Sequence, residues 1–223
     1  MSTEWTPDQI PVPKRVRPKG IADVVFCIDS TGSMAPCIDG VKEHVQNLVE
    51  GFTSNQEIVL DWRVRLIEYR DLNQDEEIVP YPFTTDIEEF RKQVQGLTAT
   101  GGGPEPESTL DAIFVALKSE WREPCNKCVV VFTDAPCHDE LHPSTVESGQ
   151  ARDIEEVKNQ IWANKARVFL YAPDFQAYRE LATVPRVLYE PVAATGLAGV
   201  DFAKLLEMLG KTISASTRPI QAA

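Results

Sequence analysis

No apolar run in the 223-residue sequence approaches the roughly 18 residues that a membrane-spanning helix needs. Residues 1–20, MSTEWTPDQIPVPKRVRPKG, contain no apolar segment of the kind that a secretory leader carries. These two absences set the expectation of a cytoplasmic protein with no membrane contact. Positive charge is also scarce: 22 Lys and Arg stand against 34 Asp and Glu, for a net charge of -12. Four of the basic residues, Lys14, Arg15, Arg17 and Lys19, lie in the first twenty positions, so the remaining body is more acidic still. Such a body repels phosphate backbones, and no nucleic acid is expected as a partner. Disulfide-forming capacity is low, because five cysteines are an odd and small set for a chain of this size.

The cysteine spacing still requires a reading. Cys125-x-x-Cys128, followed by Cys137, His138 and His142, has the residue types of a zinc set. The intervening KCVVVFTD reads as one strand, which at about 3.3 Å per residue holds its ends on the order of 20 Å apart. A thioredoxin-like pair is also unsuitable, since that motif opens a helix after a strand and this pair precedes a strand. The thiols are read as structural.

The rest of the chain alternates strand and helix patterns. IADVVFCID is a continuous apolar run, as expected for a strand buried on both faces. Ile38, Val41, Val45, Leu48, Val49 and Phe52 recur at spacings of three and four, which is one apolar helix face. LDWRVRLIEYRD reads as a second strand, and EEIVPYPF as a short edge strand ended by Pro80 and Pro82. TDIEEFRKQVQGL fits a helix capped by Thr85 or Asp86, and a second helix is expected from Glu107 to Trp121. CVVVFTD, RVFLYAP and RVLYE are further strands; ARDIEEVKNQIWANKA and DFAKLLEMLGKTI are further helices, with a short one between the last two strands. There is no internal repeat. The expectation is one α/β domain over residues 21–213, flanked by tails at 1–20 and 214–223. Its core would be a doubly wound, mostly parallel sheet with helices on both faces and one short antiparallel edge strand.

In such a sheet, ligands sit outside the carboxyl ends of the strands where the strand order reverses. Asp29 ends the first strand and Asp134 ends the fourth, so their carboxylates should face one crevice. Thr31 and Ser33 lie in the turn that leaves Asp29, and Gly32 lets that turn be tight. Two acids and several hydroxyls, with no Lys or His among them, suit a hard divalent cation. Magnesium is the first choice; manganese or calcium also fits, because ligand type does not separate the hard ions. Taken alone, the hydroxyls equally fit a cap on the following helix.

Asp29-x-Thr31-x-Ser33, a later threonine in a glycine-rich loop and Asp134 after a central strand together resemble the von Willebrand factor A (vWA) domain with its metal-ion-dependent adhesion site. DSTGSM, EYRD at 68–71, TGGGPEPE at 100–107 and TDAPCH at 133–138 resemble its bacterial and α-kinase-associated branch, in a Rossmann-like fold. The resemblance implies that Thr31 and Ser33 bind the cation directly and that Asp29 and Asp134 hold it chiefly through water. Thr100, favoured over Thr98, would be the distant ligand. The branch often has an acid directly after the three glycines; here Pro104 stands there, with Glu105 and Glu107 close by. An acidic residue of a partner protein would complete the coordination, with Ser30, Gly102, Glu105, His138 and Arg70 on the partner-binding rim. Such a domain would act as an adaptor or regulator in a multiprotein system built around an AAA+ ATPase, a kinase or a conflict response.

Enzyme readings fare worse. TATGGGPEPES lacks the Gly-x4-Gly-Lys pattern of a phosphate cradle and follows a helix. Thr31 and Ala35 stand where a nucleophile elbow at Ser33 needs glycines. An aspartyl phosphatase reading of Asp29 needs an acid at position 31, where Thr31 stands. A metal-assisted phosphatase or hydrolase and a scaffold domain with a vestigial metal site remain the alternatives.

Overall fold

The computed structural model describes residues 19–53, 59–192 and 202–216. The expected tails at 1–18 and 217–223 lie outside the described residues, as do the side chains of Val45, Leu48, Val49 and Phe52 on the expected helix face. Six strands form one sheet: β1 (Lys19–Asp29), β2 (Val59–Tyr69), β3 (Ile78–Pro80), β4 (Asn126–Phe132), β5 (Arg167–Pro173) and β6 (Val187–Val192). Their spatial order is β3-β2-β1-β4-β5-β6, and only β3 runs antiparallel. The helices are α1 (Ala35–Thr53), α2 (Ile87–Gly96), α3 (Thr109–Leu117), α4 (Ile154–Asn164), α5 (Gln176–Leu181) and α6 (Phe202–Ser216).

The alternation of β1 explains the two-layer packing. Ala22, Val24, Phe26 and Ile28 join one core with Cys37, Ile38 and Val41 of α1, Phe90 and Val94 of α2, and Leu209 and Ile213 of α6. Val25 and Cys27 point the other way, into a core with Leu110, Ile113 and Phe114 of α3, Val157 and Ile161 of α4, and Tyr178 of α5. Both faces of β1 are thus covered, which is why its sequence is apolar without interruption.

Local signals fix several helix ends. Asp86 caps α2 by accepting from the amides of Glu88 and Glu89, and Asp153 caps α4 by accepting from that of Glu156. Helix α3 is shorter than expected. Glu107 is committed to a short bridge with the chain after β4: its N–H donates to Pro136 O at 2.9 Å, and His138 N–H donates to its carbonyl at 3.1 Å. At the other end, Trp121 donates its indole N–H to Leu117 O and its amide to Ser119 O, turning the chain away. The strand order reverses between β1 and β4, so the turns after Asp29 and Phe132 open on one crevice.

Candidate metal centre

The strand ends deliver the two acids, and a line of hydrogen bonds joins them. Asp29 is fully buried at the end of β1. Its Oδ1 accepts from Thr31 N at 2.9 Å and Thr31 Oγ1 at 2.7 Å; its Oδ2 accepts from Thr133 Oγ1 at 2.7 Å. Ser33 Oγ donates to Asp134 Oδ1 at 2.9 Å and lies 3.4 Å from Thr31 Oγ1. Asp29, Thr31, Ser33 and Asp134 therefore form one cluster of oxygen donors at the crevice. Burial pushes the Asp29 carboxyl up to about 6 against the bonds from Thr31 and Thr133, and the Asp134 charge adds to that rise. A cation there would relieve this cost.

Thr31 does not cap the turn that follows it through its side chain. A short 3-10 turn, Gly32–Met34, precedes α1, and the Thr31 side chain makes no capping bond to it. The carboxylates have recruited the hydroxyls instead.

A glycine loop closes one side of the cluster. Gly32 N–H donates to Gly101 O at 3.2 Å, and Thr100 N–H to Ser30 O at 3.0 Å. Gly102 has φ +71, and a Cβ there would stand 2.7 Å from Thr31 Cβ, so only glycine lets the loop lie against that ligand candidate. Glu76 clamps the loop by accepting from Gly102 N–H at 3.0 and 3.2 Å. Arg70 binds the carbonyls of Thr100 at 2.9 Å and Thr98 at 3.0 Å while pairing with Glu68 at 2.7 Å.

Two further acids face this edge. Glu107 is 3% exposed, and among the described residues its Oε2 has no hydrogen-bond partner. Burial, then the charges of Asp29, Asp71, Glu76 and Asp134, push its carboxyl up to about 8. Asp71 is buried as well; its Oδ1 accepts from Asn73 N and Ser108 Oγ and lies 2.7 Å from His138 Nε2, while its Oδ2 has no partner among the described residues.

The expected site residues divide accordingly. Asp29, Thr31, Ser33 and Asp134 are brought together. Thr100 contributes its backbone, and its exposed side chain makes no hydrogen bond to that cluster among the described residues. The buried acid facing the cluster from this loop is Glu107. Ser30, expected on the rim, is fully buried, because its amide and carbonyl are tied to Tyr69 and Thr100 and its hydroxyl turns back to Ile28 O at 3.4 Å. Arg70 braces the loop, Gly102 is half-buried against Thr31, His138 is half-buried against Asp71, and Glu105 is exposed. Sequence reasoning missed Thr133, Glu76 and Asp71 and left Glu107 without a role. Cys125 and Cys128 lie at the start of β4 and Cys137 beyond its end, all as free thiols. Among the described residues no three His, Cys, Asp or Glu side chains form a metal-ligand cluster, so any cation here depends on the hydroxyls.

The family model for the von Willebrand factor A domain matches residues 23–186, which include all of this edge. The chain belongs to that family. Among curated proteins, this vWA domain is 27% identical over 146 residues to the α-protein kinase vwkA of Dictyostelium discoideum, covering 65% of this chain and 23% of the kinase. It is 25% identical over 170 residues to a putative ariadne-like RING finger protein of Acanthamoeba polyphaga mimivirus, covering 75% of this chain and 16% of that protein. The human von Willebrand factor A domain-containing protein 7 is 30% identical over 173 residues, with 78% of this chain and 18% of the relative covered. The chain thus spans less than a quarter of the length of each of these relatives. A crystal structure of an aerotolerance-related membrane protein from Bacteroides fragilis shares the fold, with a TM-score of 0.55 at 16% identity over 87% of this chain and 99% of that one. Among the described residues no helix is long and apolar enough to cross a membrane. vWA domains generally mediate protein–protein interactions.

Proposed function

We propose that this vWA domain binds a protein partner through a divalent cation, and that the partner offers an Asp or Glu to that cation. The observation that carries the reading is the line Asp29–Thr31–Ser33–Asp134, whose members lie 2.7–3.4 Å apart in sequence order across two strand ends. The set is all oxygen and includes neutral hydroxyls, which suits magnesium, with manganese or calcium as alternatives. Thr31 and Ser33 would hold the cation through their oxygens, and Asp29 and Asp134 would hold its waters. A bound cation supplies an electrophilic centre that an outside carboxylate can approach. Thr133 fixes Asp29 from behind, and Glu76 and Arg70 hold the glycine loop beside Thr31. The unpartnered Glu107 Oε2 supports the same reading, since a buried carboxylate oxygen without a donor is costly unless a cation is near.

The role that fits is an adaptor or regulator in a multiprotein system. Relatives named as a kinase and a RING finger protein favour assemblies that carry out signalling or protein modification, and an AAA+ ATPase or conflict-response complex is the other candidate setting. The test is capture of partners by the full chain in magnesium and again in EDTA, repeated with Asp29→Ala. A partner retained only by the wild-type protein in magnesium supports the reading. A partner held equally well in EDTA and by the folded variant contradicts it.

A further inference from the structure

The edge of the sheet opposite the metal centre has the reverse charge. Strands β4, β5 and β6 run parallel, so their amino ends meet there. Register places Arg167 beside Cys128, and Val168 beside Val187, which makes Arg167 and Arg186 neighbours across β5 and β6. Val168 N–H donates to Arg186 O at 2.9 Å, fixing that approach. Lys165 ends α4 in the left-handed conformation at φ 54, which turns the chain into β5 two residues later. The result is a cleft of about 180 Å³ lined by Lys127, Lys165, Arg167 and Arg186, with Cys125 and Cys128 beside them and, among the described residues, no acid in the lining.

Four cations in one cleft stand out in a chain of net charge -12. Their compensation is partial. Lys127 pairs with the exposed Glu123. Arg186 donates from Nη1 to Lys165 O at 3.0 Å, a carbonyl that leaves its charge unbalanced, and it has no carboxylate partner among the described residues. The side chains of Lys165 and Arg167 have no carboxylate partner among the described residues. The nearby Asp23 is already paired with Arg63 and Arg122. Burial holds both thiols at about 12, so the cysteines stay neutral and do not oppose a bound anion.

We infer that this cleft binds a phosphate monoester dianion, gripped by Arg167 and Arg186 with Lys165 and Lys127 supplying further charge. The guanidinium fork matches two phosphate oxygens, and the half-buried setting of both arginines strengthens each charge-assisted bond. A phosphodiester backbone fits less well, because the acidic body around the cleft repels an extended polyanion. The site is independent of the metal centre and lies at the far ends of the same strands.

The test is calorimetric titration of the full chain in EDTA, so that phosphate cannot ride on a cation. The probes are inorganic phosphate, a phosphoserine peptide, its unphosphorylated counterpart and a short single-stranded oligonucleotide. Saturable binding of phosphate, the phosphopeptide or both is expected, weakened at least tenfold by Arg167→Ala and unchanged by Asp29→Asn. Phosphopeptide binding at least tenfold tighter than inorganic phosphate identifies a modified protein as the source; equal or weaker binding identifies free phosphate or a small phosphorylated molecule. If Arg167→Ala does not fold, Arg186→Gln gives the same comparison. Failure of both phosphate probes to bind, equal binding by the folded arginine variant, or equal or tighter binding of the unphosphorylated peptide or the oligonucleotide overturns the inference. Absence of magnesium binding by the wild-type chain in a separate titration without EDTA, with phosphate binding retained, would count against the metal reading and leave this one standing.

Discussion

Asp23 and Asp29 lie on the same face of the same strand, both fully buried, and they are treated in opposite ways. Asp23, at the amino edge of the sheet, accepts from Arg63 Nη2 at 2.9 Å, Arg122 Nε at 2.7 Å and Arg122 N at 2.8 Å. Burial alone would raise its carboxyl, but the bonds and charge of Arg63 and Arg122 outweigh that, and it falls below the usual range. Asp29, at the carboxyl edge, has only hydroxyls and an amide, and burial leaves its carboxyl at about 6. The first acid is complete within the chain. The second remains short of positive charge, as does Glu107, whose carboxyl the Asp29 charge helps to raise. At its amino end β1 holds a finished structural ion pair, and at its carboxyl end it holds an acid that the proposed cation would balance.

This contrast is easiest to break at Asp23. Asp23→Ala leaves two partly buried arginines without their shared partner and should destabilise the fold by about 3–5 kcal/mol in urea titration, with no preference for magnesium or EDTA. Gly102→Ala should cost about 2 kcal/mol, through the left-handed backbone and the contact with Thr31, and should weaken magnesium binding in calorimetry. Asp29→Asn should behave unlike Asp23→Ala. Without the cation it removes a penalised charge, so stability in EDTA at pH 8 should stay within about 1 kcal/mol of wild type or rise, while the magnesium-induced shift in melting temperature disappears.

The pH response tests the same contrast without a mutation. The folded carboxyls of Asp29, at about 6, and Glu107, at about 8, stand above ordinary values of 3.8 and 4.5. The folded state therefore binds protons more tightly than the unfolded chain, and this contribution to stability is lost as pH rises through those folded values. In EDTA the melting temperature should drop by several degrees from pH 5.5 to 8.5, given about 2–4 °C per kcal/mol for a chain of this size. Magnesium should reduce the drop, with a stabilising shift that grows with pH. Asp23 acts in the opposite direction: its contribution is present above the unfolded value of 3.8 and is lost as pH falls through its lower folded value.

The same contrast explains what was legible in the sequence. Apolar continuity and capping signals located β1, β4, β5, α2 and α4, and the strand alternation implied the reversal that brings Asp29 and Asp134 together. Asp29, Thr31 and Ser33 were readable because their spacing is local. Glu76, Asp71 and Glu107 were not, since an acid in a loop reads as a solvated charge until the loop's path is known. That path depends on positive φ at Gly101 and Gly102, a conformation that periodicity does not reveal. For the same reason the backbone role of Thr100, which bonds to Ser30 and Arg70, was not legible. The cationic cleft was hidden differently: Lys127, Lys165, Arg167 and Arg186 lie on separate elements and meet only through strand register.

The most direct test of the account is calorimetric titration of magnesium into the full chain at pH 8, comparing wild type with Asp29→Asn and with Thr31→Val. The account predicts one binding event in the wild-type protein, weakened at least tenfold in each folded variant. No binding by the wild type, or equal binding by the variants, would contradict it.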